Sequence, residues 1–180
     1  VLIFLSVLTW RQCGFWKNSL ELWEHSLRVT KDNCVARNNR GAAYAALSQY
    51  KLAIQDYNEA IRLNPNYADA LNNRGTALTN LGQYLTAIED LNKGIHLNPN
   101  VADAYNNRGT AWARLGQYQV AISDYNKAIV MSNSAQAYNN RGLTYIIQQN
   151  KLLGCNDLQE ACARGECNSL KWAESKGICQ

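Results

Sequence analysis

The sequence predicts an all-α fold, an α-solenoid of antiparallel helix pairs with a C-terminal capping helix. Three observations predict it. Asn-Asn-Arg-Gly recurs at 38–41, 72–75, 106–109 and 139–142, at offsets of 34, 34 and 33 residues. A fixed period in the 20–50 range marks a repeat array. Each period holds two stretches with apolar residues at helical spacing, and the unit contains no β-branched alternation.

Ala102 to Asn133 shows how one unit reads. Tyr105, Gly109 and Trp112 fall on one face of a first helix, which Leu115-Gly116 stops because Gly accepts the left-handed conformation. Ala121, Ile122, Tyr125, Ala128 and Ile129 then form the apolar face of a second helix. Small residues recur at fixed places: Gly41, Gly75, Gly109 and Gly142 on first helices, then Ala53, Ala87 and Ala121 on second helices. Large residues stand beside them, Tyr57, Leu91, Tyr125 and Leu158 among them. A helix-interior Gly costs about 1 kcal/mol against Ala. Its fourfold recurrence implies a neighbouring helix that leaves no room for a side chain. Pro65 and Pro99 end two of the second helices. The predicted pairs are 35–47/50–62, 68–81/84–96, 102–115/118–130 and 135–148/151–163.

Taken in register, these positions resemble the tetratricopeptide repeat (TPR). Tyr105, Gly109, Trp112, Ala121, Tyr125 and Ala128 match its pattern, as do Pro65 and Pro99 in the two preceding units. The resemblance covers roughly 34–164. It implies a right-handed superhelix with first helices on its concave side, and a scaffold that binds a protein or peptide segment there. The units are 34–67, 68–101, 102–134 and a degenerate, Cys-rich 135–167, with 168–180 as a cap. The segment joining the third and fourth units lacks the Pro and is one residue short, which predicts a tightened joint.

On a TPR first helix the residue two before the Gly faces the groove. Here that residue is Asn39, Asn73, Asn107 and Asn140. An Asn amide offers one acceptor and two donors, so it can hold a peptide backbone whatever its side chains. The column resembles the asparagine ladder of O-linked N-acetylglucosamine transferase. The plainer alternative is bonding between adjacent repeats. Asn38, Asn72, Asn106 and Asn139 either add to the groove or are solvated. Arg40, Arg74, Arg108 and Arg141 depart from the Leu usual in the family, and Asp56, Asp90, Asp124 and Asp157 each follow 16 residues later. In an antiparallel hairpin these come together, which predicts a structural ion pair inside each unit. Another TPR subtype grips a C-terminal carboxylate with Lys. Asp69 and Asp103 at groove positions argue against it.

The ends differ from the repeats. Residues 1–12 open with ten apolar or small residues, about 15 Å of helix and half a bilayer core. Two readings stand, the end of a transmembrane helix or a buried capping helix. Residues 13–33, with Trp16, Leu20, Trp23 and Leu27 at helical spacing, form a degenerate half-repeat helix. This order of segments resembles the C-terminal part of polytopic membrane proteins related to protein O-mannosyltransferases. That resemblance implies membrane attachment and an array outside the cytoplasm, periplasmic or lumenal, against the alternative of a cytoplasmic protein. At the other end, Asn168 or Ser169 caps a final helix that Gly177 closes.

Four of the six Cys lie in the last 26 residues. Disulfides, free core thiols and zinc are the readings, although C-x6-C-x4-C-x11-C matches no common zinc spacing. Cys155 and Cys162 are seven residues apart on one helix, about 10.5 Å, and cannot pair with each other. A capping helix running back antiparallel gives Cys162–Cys167 and Cys155–Cys179, which require an oxidising compartment. Cys13 and Cys34 are expected free.

Composition excludes other classes. Net charge is +4, with Lys and Arg scattered, so nucleic acid is not an expected partner. No nucleophile–base set, phosphate loop or metal pair can be placed, which predicts a non-enzyme without cofactor or metal. The two functional readings are a peptide-binding scaffold and a structural spacer or oligomerisation module of a membrane-bound glycosyltransferase-like enzyme.

Overall fold

The computed structural model describes residues 19–30 and 32–179. The apolar segment 1–12, Cys13 and Trp16 lie outside the described residues. Among those described there are ten helices and no strand. The first, α1 (Ser19–Val29), precedes four hairpins. These are α2 (Cys34–Ala46) with α3 (Tyr50–Leu63), α4 (Ala68–Asn80) with α5 (Tyr84–Leu97), α6 (Ala102–Arg114) with α7 (Tyr118–Ser132), and α8 (Ala135–Ile147) with α9 (Lys151–Ala163). The last helix, α10 (Asn168–Ser175), covers the end.

Sequence chemistry sets the boundaries. α6 stops where the Gly116 N–H bonds back to the Ala113 carbonyl and the Gln117 N–H to that of Trp112, with Gly116 at φ +77°. Gly82 does the same after α4 at φ +79°. The first and fourth units place Ser48 and Gln149 there, at φ +58° and +64°. At the other end of the unit, Asn64 and Asn98 are extended because a Pro follows each. α7 has no Pro after it. It runs to Ser132 and ends on a left-handed Asn133, so two residues link α7 to α8 where four link α3 to α4. α10 begins at Asn168 with Cys167 as its cap residue, and Gly177 follows it at φ +65°.

The recurring glycines mark the tightest contacts. A Cβ on Gly109 would stand 2.8 Å from the Tyr125 ring and 3.1 Å from the Ala121 carbonyl oxygen. On Gly41 it would meet Tyr57 at 2.6 Å, and on Gly75 it would meet Leu91 at 2.6 Å. Tyr57, Leu91, Tyr125 and Leu158 are accordingly buried. They fill the space that the glycines leave, as knobs between paired helices. First helices also touch the first helix of the next unit, α2 to α4, α4 to α6 and α6 to α8. This puts the first helices on the inner side of the array.

Candidate functional site

Two polar systems run along the array, built on adjacent residues of each first helix. The first is built on the four recurring arginines. Arg108 donates Nε to Asp124 Oδ2 at 2.8 Å and Nη2 to Oδ1 at 2.7 Å. Arg40–Asp56, Arg74–Asp90 and Arg141–Asp157 have the same two-pronged geometry at 2.6–2.7 Å. The Asp side chains are only 4–9% exposed. The hydrogen bond to Asp is the main cause that holds the Arg40, Arg108 and Arg141 guanidiniums above their ordinary pKa, against the opposing pull of burial.

Each guanidinium has a further donor, and in the last three units it leaves the hairpin. Arg74 Nη1 reaches Asn58 at 2.7 Å, Arg108 Nη1 reaches Asn92 at 2.7 Å, and Arg141 Nη1 reaches Asn126 at 2.6 Å. One planar cation thus ties two helices of its own unit to the second helix of the unit before. Sequence reasoning missed these asparagines. Their signal is plain in hindsight, since each stands two residues after the paired Asp. In the first unit Glu24 of α1 holds the equivalent place, and its charge also acts on Arg40.

The second system is the asparagine column. Asn73 Nδ2 donates to Asn38 Oδ1 at 3.0 Å. Asn107 Nδ2 donates to Thr76 Oγ1 at 2.9 Å, and Asn140 Nδ2 to Asn106 Oδ1 at 3.0 Å and Thr110 Oγ1 at 3.4 Å. Thr76 and Thr110 offer a hydroxyl acceptor where the first unit has Ala42. Asn39, Asn73, Asn107 and Asn140 are all half-buried, so part of each amide faces outward.

Asn38, Asn72, Asn106 and Asn139 need a correction. They neither line the groove nor lie in solvent, but are 3–8% exposed inside the array. One helical residue turns the side chain by about 100°, which is enough to carry it from the groove into the seam. Asn72 lies there so close to Gly94 that a Cβ on Gly94 would collide with its Oδ1. Two of the four Oδ1 atoms have no hydrogen-bond partner, Asn72 because Asn107 turns to Thr76, and Asn139 because the helix after its hairpin is the cap α10, which supplies no such amide.

Above the column lies a cleft of about 300 Å3 that Asn107 and Asn140 help to line. Thr76, Thr110, Gln136 and Arg114 complete much of its wall. Asp69 and Asp103 are both exposed at the starts of their helices. Among the described residues no group of three His, Cys, Asp or Glu side chains could hold a metal, and no helix is long and apolar enough to cross a membrane. At the C-terminal end Cys155–Cys179 and Cys162–Cys167 stand as disulfides with Cα separations of 5.5 and 4.1 Å, and Cys34 is unbonded. Cys13 lies outside the described residues.

Family models described as tetratricopeptide repeat match residues 35–67, 56–89 and 102–133, and one described as TPR repeat matches 75–116. Together they span 35–133, more than half of the chain. No curated protein sequence matches it. Among solved structures it is similar to TTC0263, a thermophilic TPR protein of Thermus thermophilus, with TM-score 0.77 at 16% identity over 88% of each chain. It is also similar to YrrB, described as a TPR protein with an unusual peptide-binding site, with TM-score 0.67 at 23% identity over 96% of this chain and 87% of that one. The first TPR of Spaghetti (RPAP3), solved with the HSP90 peptide SRMEEVD, is similar with TM-score 0.61 at 24% identity over 64% of this chain and 93% of that one.

Proposed function

This chain belongs to the tetratricopeptide repeat family, and we propose that it is a protein-interaction scaffold which holds an extended peptide segment along its concave face. The observation that carries the reading is the column of Asn39, Asn73, Asn107 and Asn140 beside a cleft lined by amides and hydroxyls. Each amide uses one N–H or its carbonyl within the array and keeps further hydrogen-bonding capacity for a backbone. Two similar structures are described with peptides or a peptide-binding site, which supports the same reading.

The two Cys pairs support an oxidising, extracytoplasmic setting. Attachment to a membrane through the N-terminal segment belongs to this proposal, as does the spacer role beside a membrane-bound enzyme should the groove bind nothing. Joint replacement of Asn39, Asn73, Asn107 and Asn140 by Ala tests the reading. Capture of partners from a lysate should be lost while the helical circular dichroism signal persists. Unchanged capture would leave the column as bonding between repeats.

A further inference from the structure

We propose that the groove selects segments in which a carboxylate side chain stands beside a bulky apolar one, with Arg114 holding the carboxylate and a cavity beside Ile147 and Trp172 holding the apolar group. This inference rests on the groove reading above and gives it a ligand chemistry. Two clefts meet at Arg114. The one of about 300 Å3 is walled by amides and hydroxyls. The other, about 320 Å3, is walled mainly by carbon, from Leu143, Ile146, Ile147 and Trp172. Thr110, Arg114 and Asn140 line both, so a strand passing between the clefts must cross all three.

Charge decides what crosses there. Every other arginine of the four units is ion-paired to an Asp or Glu. Arg114 is exposed, makes no ion pair, and is the one charged residue lining either cleft among the described residues. A guanidinium in a polar cleft accepts a carboxylate by two charge-assisted bonds and repels Lys or Arg. The neighbouring cavity sets the second requirement. Ile147 is 59% and Trp172 46% exposed, a large apolar area at the edge of a groove. Ala173, fully buried, and the Cys155–Cys179 bond hold the capping helix that presents Trp172.

Selection of a bead-bound library of random, terminally blocked heptapeptides on the 180-residue chain tests the inference. Selected peptides should carry Asp or Glu within two positions of Phe, Leu, Ile, Met or Trp at about ten times the library frequency. Arg114→Glu should reverse the charge preference toward Lys and Arg. Trp172→Ala should weaken the apolar preference, and Ile147→Ser, on a different helix, should do so without disturbing the cap. Acid enrichment that survives Arg114→Glu, or apolar enrichment that survives both cavity variants, overturns the inference. Peptides selected by the wild type and lost in the fourfold Asn→Ala variant, yet indifferent to charge, would sink this inference and leave the groove reading standing. No selection by the wild type would sink both.

Discussion

In the third unit Arg108 reaches back to Asn92, Asn107 to Thr76, and Tyr125 fills the seam beside Gly109. The fourth unit repeats the backward links, through Arg141 to Asn126 and Asn140 to Asn106. Forward, the two part ways. Asn126 of the third unit receives Arg141, whereas the fourth has Gln159 in that place and the capping helix α10, rather than a repeat, next to it in the chain. Asn139 keeps an unpartnered Oδ1 for the same reason. Leu158, Ala173 and Cys179 instead form a small buried cluster with Leu170 and Ile178, and two disulfides hold the cap onto α9. An inner repeat is stabilised by polar bonds to neighbours on both sides, and a terminal one needs a cover with bonds of its own.

The sharpest way to break this comparison is to unpair an inner arginine. Arg108→Met should lower stability by about 4 kcal/mol, because it leaves Asp124 buried without its cation. Arg108→Met with Asp124→Leu should recover most of that loss. Urea denaturation of the two variants decides. Equal losses would mean that the pair matters only for its own bonds.

At the cap, Cys155→Ala with Cys179→Ala should lower stability by about 3 kcal/mol, since the bond closes a loop of 24 residues. Wild type should lose at least as much on reduction, which opens Cys162–Cys167 as well. Its α9–α10 amides should then exchange hydrogen faster, while those of α6 and α7 change little. Faster exchange across the whole array would deny the cap its local role.

Turn chemistry should give a smaller contrast with opposite sign. Gln149→Gly should raise stability by about 1 kcal/mol, since Gln149 sits at φ +64° where a side chain is strained. Ser48→Gly should behave alike, and Gly116→Ala should lower stability by a similar amount. Thermal unfolding measures all three.

The smallest effect at neutral pH, and a distinct one in alkali, concerns the aromatic knobs. Burial pushes the Tyr57 hydroxyl up to about 12, and raises that of Tyr125 as well. The folded state therefore holds these protons more tightly than the unfolded chain. The stabilisation is complete below about pH 10 and is lost as pH rises toward 12. Tyr57→Phe should flatten that decline with little change at pH 7. The equivalent knobs of the second and fourth units, Leu91 and Leu158, have nothing to titrate.

Much of this molecule was legible before any coordinates. A period of 34 with Gly, Ala and Tyr in register leaves few ways to bury the large residues other than stacked hairpins. The Arg-to-Asp spacing could be read for the same reason, since an antiparallel pair fixes which residues face each other. The bond between Cys155 and Cys179 followed from helix rise and the direction of the cap. Asn58, Asn92 and Asn126 were not read, because their partner lies in the following unit and the angle between units is not written in the period.

The sequence by itself determined the helices, their pairing and the glycine contacts, because these depend on spacing along one hairpin. Tertiary structure alone decided which of two adjacent asparagines enters the seam, since about 100° of helix rotation separates Asn72 from Asn73. It alone set Arg114, the one arginine of the four units outside an ion pair, beside an apolar cavity to which the capping helix adds Trp172. These residues stand 58 positions apart, and only the closing turn of the solenoid brings them to one groove.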